Sequence, residues 1–132
     1  MLRITFLLFL VLSISGCEYT FTEEAEIEDQ LLSVTPLGTS AAEVEVVVAD
    51  LFGEEAYVGI GISEQTDSGW GQTGWLIDPE MRNGDGSYVH TYKIGSHPSK
   101  LVVLPTYVYA QWFFDTDDQL VQIRVLKEMD SL

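Results

Sequence analysis

The 132-residue chain has one cysteine, two histidines and six basic residues, so it is poor in the side chains that build redox, metal and phosphate sites. A single thiol excludes an internal disulfide. Six Lys and Arg against 21 Asp and Glu give a formal charge of −15. So acidic a surface repels nucleic-acid phosphates, and it equally opposes charge-driven docking on anionic lipid headgroups. Solubility, cations and basic partners remain uses for the acidity. No H-E-x-x-H or Cys/His cluster offers a zinc site, and no G-x-S-x-G elbow offers a nucleophile. An EF-hand register with Asp85 and Gly86 at positions 5 and 6 puts Met81 and Tyr92 where oxygen ligands are required. The sequence therefore indicates no catalytic residue, no cofactor and no metal, and the expectation is a protein that is not an enzyme.

Long apolar runs are also scarce. The one candidate, "ITFLLFLVL", covers nine residues, 4–12, well short of the ~20 a membrane-spanning helix needs. It follows Arg3 and precedes the small-residue exit "SISG", an arrangement with the three parts of a secretory signal. The lone cysteine, Cys17, comes next.

Ile14-Ser15-Gly16-Cys17 resembles the bacterial lipobox, an aliphatic residue and two small ones before a cysteine. The resemblance implies that the Cys17 sulfur becomes a diacylglyceryl thioether and that the chain is cut between Gly16 and Cys17. It implies a membrane partnership made through the lipidated Cys17. Residues 1–16 would be a cleaved signal peptide. Without Arg3, the remaining 116 residues carry five bases against 21 acids, in a length suited to one domain.

"CEYTFTEEAEIEDQ", residues 17–30, has six acids and no base and reads as a solvated acidic tether. In enteric lipoproteins an aspartate just after the cysteine favours the inner membrane. Glu18 is not that signal, so the resemblance favours the outer membrane, facing the periplasm.

A single domain is expected over 31–132. In "GTSAAEVEVVVADLFG", residues 38–53, Ser40 and Glu43 have capping-box spacing and Gly53 is a stop. Val44, Val47, Val48 and Leu51 form one apolar face at helical spacing. "AEVEV" also alternates as a strand would, but cap, face and stop together favour a helix. Strand patterns follow. Residues 56–63 place Val58, Ile60 and Ile62 on one face, and residues 87–94 place Tyr88, His90, Tyr92 and Ile94 on one face. His90 reads as a packed or half-exposed strand residue, and His97 as part of a loop before Pro98. Residues 106–114 and 120–127 flank "DTDDQ" as a hairpin. Val108, Ala110, Trp112 and Phe114 would face the core with Val121, Ile123 and Val125, and Pro105 would start the strand. Asp115, Asp117 and Asp118 read as a solvated turn with, at most, weak cation affinity.

The fold class expected is α+β: one N-terminal helix on a four- or five-stranded, mainly antiparallel sheet ending in a β-hairpin. Trp70, in a polar, glycine-rich segment read as a loop over 63–74, is the expected contact residue for a partner. "PLGTSAAEV" and "VYAQWFFDTDDQLVQIRV" are similar to the helix entry and terminal hairpin of the SmpA/OmlA, or BamE-like, envelope lipoproteins. The usual Leu-Gly-x-Pro of that family is absent. The resemblance implies a lipid-anchored envelope module that binds a protein partner. The alternative is a small lipid-anchored enzyme, or an inhibitor of a basic secreted enzyme.

Overall fold

The computed structural model describes residues 23–75, 87–97 and 106–129. The stretch read as a leader, the lipobox-like residues through Gly16 and Cys17, the expected turn cluster at 78–86 and Pro105 lie outside the described residues.

Helix α1 spans Glu24–Val34. The acidic stretch expected to act as a tether through Gln30 is therefore helical from Glu24, and the folded part starts before Leu31. Ile27 and Leu31, four residues apart, lie on one helical face and are both fully buried. Glu24 and Glu26 occupy the first turn, where negative charge complements the helix dipole. Glu28 also has a structural partner: its carboxylate accepts the Val125 backbone N–H at 2.9 Å. At the C-terminal end, the Thr35 hydroxyl donates to the Leu31 carbonyl at 2.8 Å.

Helix α2 spans Ala41–Phe52. Ser40 caps it, its hydroxyl accepting the Glu43 N–H at 3.3 Å, and Gly53 ends it. Val44 and Val48 are buried, while Val47 and Leu51 are half-buried. The segment between the helices is bound to the far end of the chain. Gly38 N–H donates to the Leu120 carbonyl at 2.8 Å, Leu120 N–H to Thr39 at 2.9 Å, and Ala41 N–H to Asp118 at 2.8 Å.

After a short 3-10 turn, Glu54–Ala56, come five strands: β1 (Tyr57–Thr66), β2 (Gly69–Trp75), β3 (Tyr88–His97), β4 (Thr106–Phe114) and β5 (Leu120–Met129). They form one antiparallel sheet in the order β2-β1-β3-β4-β5. The fold is α+β, with two helices among the described residues ahead of the sheet where one was expected. The terminal hairpin, β4–β5, is present. Its turn is ordered by Asp115, whose carboxylate accepts the N–H groups of Asp117 at 2.9 Å and Gln119 at 3.0 Å. Tyr88 donates to the Asp118 carboxylate at 2.8 Å.

The core lies between the helices and one sheet face. Tyr88, Tyr92 and Ile94 contribute to it as their alternation predicts, and so do Val108, Ala110, Trp112 and Phe114. Fully buried Trp112 donates its indole N–H to the Thr35 hydroxyl at 3.1 Å. This bond ties the centre of the sheet to the end of α1.

Two bulges alter the expected alternation. Between Phe113 and Phe114 the β4–β5 register shifts, so Leu120 faces Phe114 and Gln122 faces Phe113. Leu120 is buried in the core in place of Val121. A second shift, between Tyr57 and Gly59, moves Val58 off the face of Ile60 and leaves it half-exposed. Ile62 keeps the parity of Ile60 but remains 44% exposed. An extra residue in one strand reverses the side-chain parity beyond it, so strict alternation misplaces these residues.

The sheet curls until its two outer strands meet at one end. The Gln122 side chain on β5 accepts the Trp70 N–H of β2 at 2.9 Å and donates to the Trp70 carbonyl at 3.5 Å. Gly69 makes this approach possible. It has φ of +114°, and a Cβ there would lie 2.7 Å from the Gln122 amide oxygen.

Candidate functional site

The curl creates a groove on the sheet face turned away from the helices. Register determines its composition. Thr91 pairs with Gln111 across β3–β4, Gln111 with Arg124 across β4–β5, and Tyr109 with Leu126. On the other side, Gly61 pairs with Trp75 across β1–β2. Thr91, Gln111, Arg124, Tyr109, Leu126 and Trp75 line a groove of about 610 Å³, within the size range of ligand-binding clefts.

The floor is polar and internally bonded. Gln111, 6% exposed, donates to the Gln72 side-chain oxygen at 2.8 Å and to the Thr91 hydroxyl at 3.4 Å. Gln72 donates onward to the Gly74 carbonyl at 3.1 Å. Burying amides is costly unless they are bonded, and these bonds meet that requirement while fixing their orientation. The walls are different. Trp75 is 55% exposed, Val58 48% and Leu126 37%, three large apolar groups around one opening. The Trp75 indole approaches the β1 backbone so closely that a Cβ at Gly59 would lie 3.1 Å from it. Towards the closed end, Arg124 stands over the ring of buried Phe113 at 5.8 Å. Lys93 stands over Tyr107 at 4.3 Å. Among the described residues, this face thus carries Arg124 and Lys93, with the Glu128 carboxylate also lining the groove.

Trp70 is not in a loop, as expected, but in β2, half-buried, with both backbone polar groups held by Gln122. Trp75, five residues on, supplies the exposed aromatic surface. The available signal was glycine: Gly59 and Gly61 on β1 leave room for a large ring on the neighbouring strand. His90 lies half-buried between Tyr88 and Tyr92, with ring centroids 5.4 and 6.5 Å away. His97 is the last residue of β3. Among the described residues, no three His, Cys, Asp or Glu side chains are grouped as metal ligands would be.

A second cavity, of about 570 Å³, opens on the opposite side between α2, β1 and β3. Tyr92 lines it, and its hydroxyl is pushed up to about 12 by burial and then by Glu45 and Tyr57. Tyr57 is raised by the same burial and by Glu45. The folded protein holds the Tyr92 proton more tightly than an unfolded tyrosine with its value of 10.0. The associated stability is complete below pH 10 and disappears as pH rises through about 12. Urea midpoints measured from neutral pH into this window should fall more steeply for the wild type than for Tyr92→Phe. Parallel curves would remove Tyr92 as the cause.

No protein-family model, curated protein or solved structure matches this chain.

Proposed function

We propose that the chain is a lipid-anchored envelope module, with no catalytic role of its own, that binds a protein partner through the groove of its curled sheet. The observation that carries the reading is the combination of an exposed Trp75–Val58–Leu126 wall with a fixed floor of Gln72, Gln111 and Thr91. Apolar walls supply burial, and amide groups offer both the donor and the acceptor that a peptide bond presents. Exposed apolar side chains grouped this way mark binding surfaces more often than isolated ones do. Arg124 and Glu128 add one charge of each sign to the groove, which suits the carbonyl and N–H of a partner's peptide groups.

The lipobox-like "ISGC" supports anchoring at Cys17, and Glu18 after it favours the outer membrane. The likeness of the helix entry and terminal hairpin to BamE-like lipoproteins supports a role beside an outer-membrane assembly machine. The test is photo-crosslinking in intact cells. A photoreactive residue at Leu126, on the groove rim, should capture one discrete protein. The same residue at Leu37, 60% exposed but between the helices, should not. Equal capture from both positions, or none from Leu126, would remove the groove from the proposal.

A further inference from the structure

The cavity on the helix side differs chemically from the groove. Tyr57, His90 and Tyr92 form its aromatic wall. The Tyr57 and Tyr92 centroids are 5.3 Å apart with the planes at 61°, and Tyr57 and His90 are 5.7 Å apart at 44°. Rings inclined in this way present faces and edges of several orientations to one space. A cation within about 6 Å of a ring face is attracted by its quadrupole, most strongly where water is excluded.

Glu45 and Glu54 are the charged side chains lining the same space. The surrounding charge reinforces theirs. From Glu23 to Ala56 the chain has ten Asp and Glu and no Lys, Arg or His, so helices and 3-10 turn bring no cation of their own. Lys93, next to Tyr92 in sequence, points to the other sheet face and covers Tyr107. The proximity of Glu45 to both phenols agrees with the direction in which it moves their proton affinities. An anion would meet carboxylates and the negative faces of rings, and a neutral apolar molecule would leave the carboxylates unused.

We propose that this cavity binds a small organic ammonium cation, its nitrogen seated against the Tyr57 and Tyr92 rings and balanced by Glu45 and Glu54. Aromatic walls favour a cation with alkyl groups over a strongly hydrated metal ion, because the alkyl groups pack on rings while the charge is shared among them. The site is independent of the groove and of whatever occupies it.

Calorimetric titration of the full chain in neutral detergent micelles tests this, with choline as the probe and 3,3-dimethyl-1-butanol as its uncharged isostere. Choline should bind saturably and the isostere should not. Glu45→Gln and Tyr57→Leu should each weaken choline binding, by roughly threefold to thirtyfold for a loss of one such contact. Both side chains are exposed enough that folding should survive, which thermal unfolding of each variant checks. Trp75→Leu, which removes the exposed aromatic ring of the groove, should bind choline as the wild type does. Absence of saturable choline binding, equal binding of the isostere, or full binding by both cavity variants would overturn the proposal. Loss of binding in Trp75→Leu would do so as well, by moving the site to the groove.

Discussion

Trp112→Ala should be the most destabilising single substitution in the sheet, lowering stability by roughly 3–5 kcal/mol. Trp112 is fully buried, packs edge-on against Tyr92 at 5.4 Å between centroids, and bonds the Thr35 hydroxyl. Alanine removes all three contributions and leaves a cavity where α1 meets β4. A domain's whole stability is about 5–15 kcal/mol, so a loss of this size is a large fraction of it. At about 4–8 °C per kcal/mol for a domain near 100 residues, the melting temperature should drop by at least ~12 °C. Trp112→Phe separates the causes, keeping an aromatic ring while losing the N–H donor. The Thr35 hydroxyl retains its bond to Leu31, so the missing hydrogen bond itself should cost only about 1 kcal/mol. Trp75→Ala, at a site 55% exposed, should change stability far less. Circular dichroism during thermal and urea unfolding measures all three. A Trp112→Ala protein within about 1 kcal/mol of wild type would mean that the core is not centred on this indole.

Cys17→Ser should have the largest effect on where the protein resides. On the lipobox reading, the thiol is the only group in the chain that can take the diacylglyceryl thioether. A serine hydroxyl cannot form it. Each buried methylene contributes about 0.8 kcal/mol and two acyl chains suffice for stable anchoring. Their loss should move the protein from the membrane fraction to the soluble fraction and abolish incorporation of labelled fatty acid. The unfolding midpoint of the domain should remain that of the wild type, because Cys17 precedes α1. Fatty-acid labelling that persists in Cys17→Ser would refute the lipobox reading.

Where one local signal agreed with another, the sequence was legible. Helix α2 had cap, apolar face and glycine stop, and all three appear in the structure. β3 and β4 alternate from Tyr88 to Tyr92 and from Ala110 to Phe114, and Tyr88, Tyr92, Ala110, Trp112 and Phe114 join the core. Helix α1 was hidden by its own charge. Ile27 and Leu31 carry the helical spacing, but five acids among residues 24–30 and their nearest neighbours made the segment resemble a solvated chain. Its stability comes from tertiary burial and from Glu28 bonding to β5, and neither contact is local in sequence. The groove was less legible still. Its floor combines Gln72, Thr91 and Gln111 from three strands, and its curl depends on Gln122 meeting Trp70, 52 positions away. Bulges then moved Val58 and Leu120 to faces that alternation assigns differently. Such features follow from how strands twist against one another, which no short window of sequence contains.

The early start of α1 also determines reach. Between Cys17 and Glu24 lie only six residues, a link that spans at most about 20–25 Å even when fully extended. If Cys17 is the anchor, the domain works on a short leash, close to the lipid surface from which it is suspended. A partner must then come to that surface, either embedded in the same bilayer or carried to within a few nanometres of it. A soluble protein that stays deep in the compartment would lie beyond the module's grasp, however well its surface matched the groove.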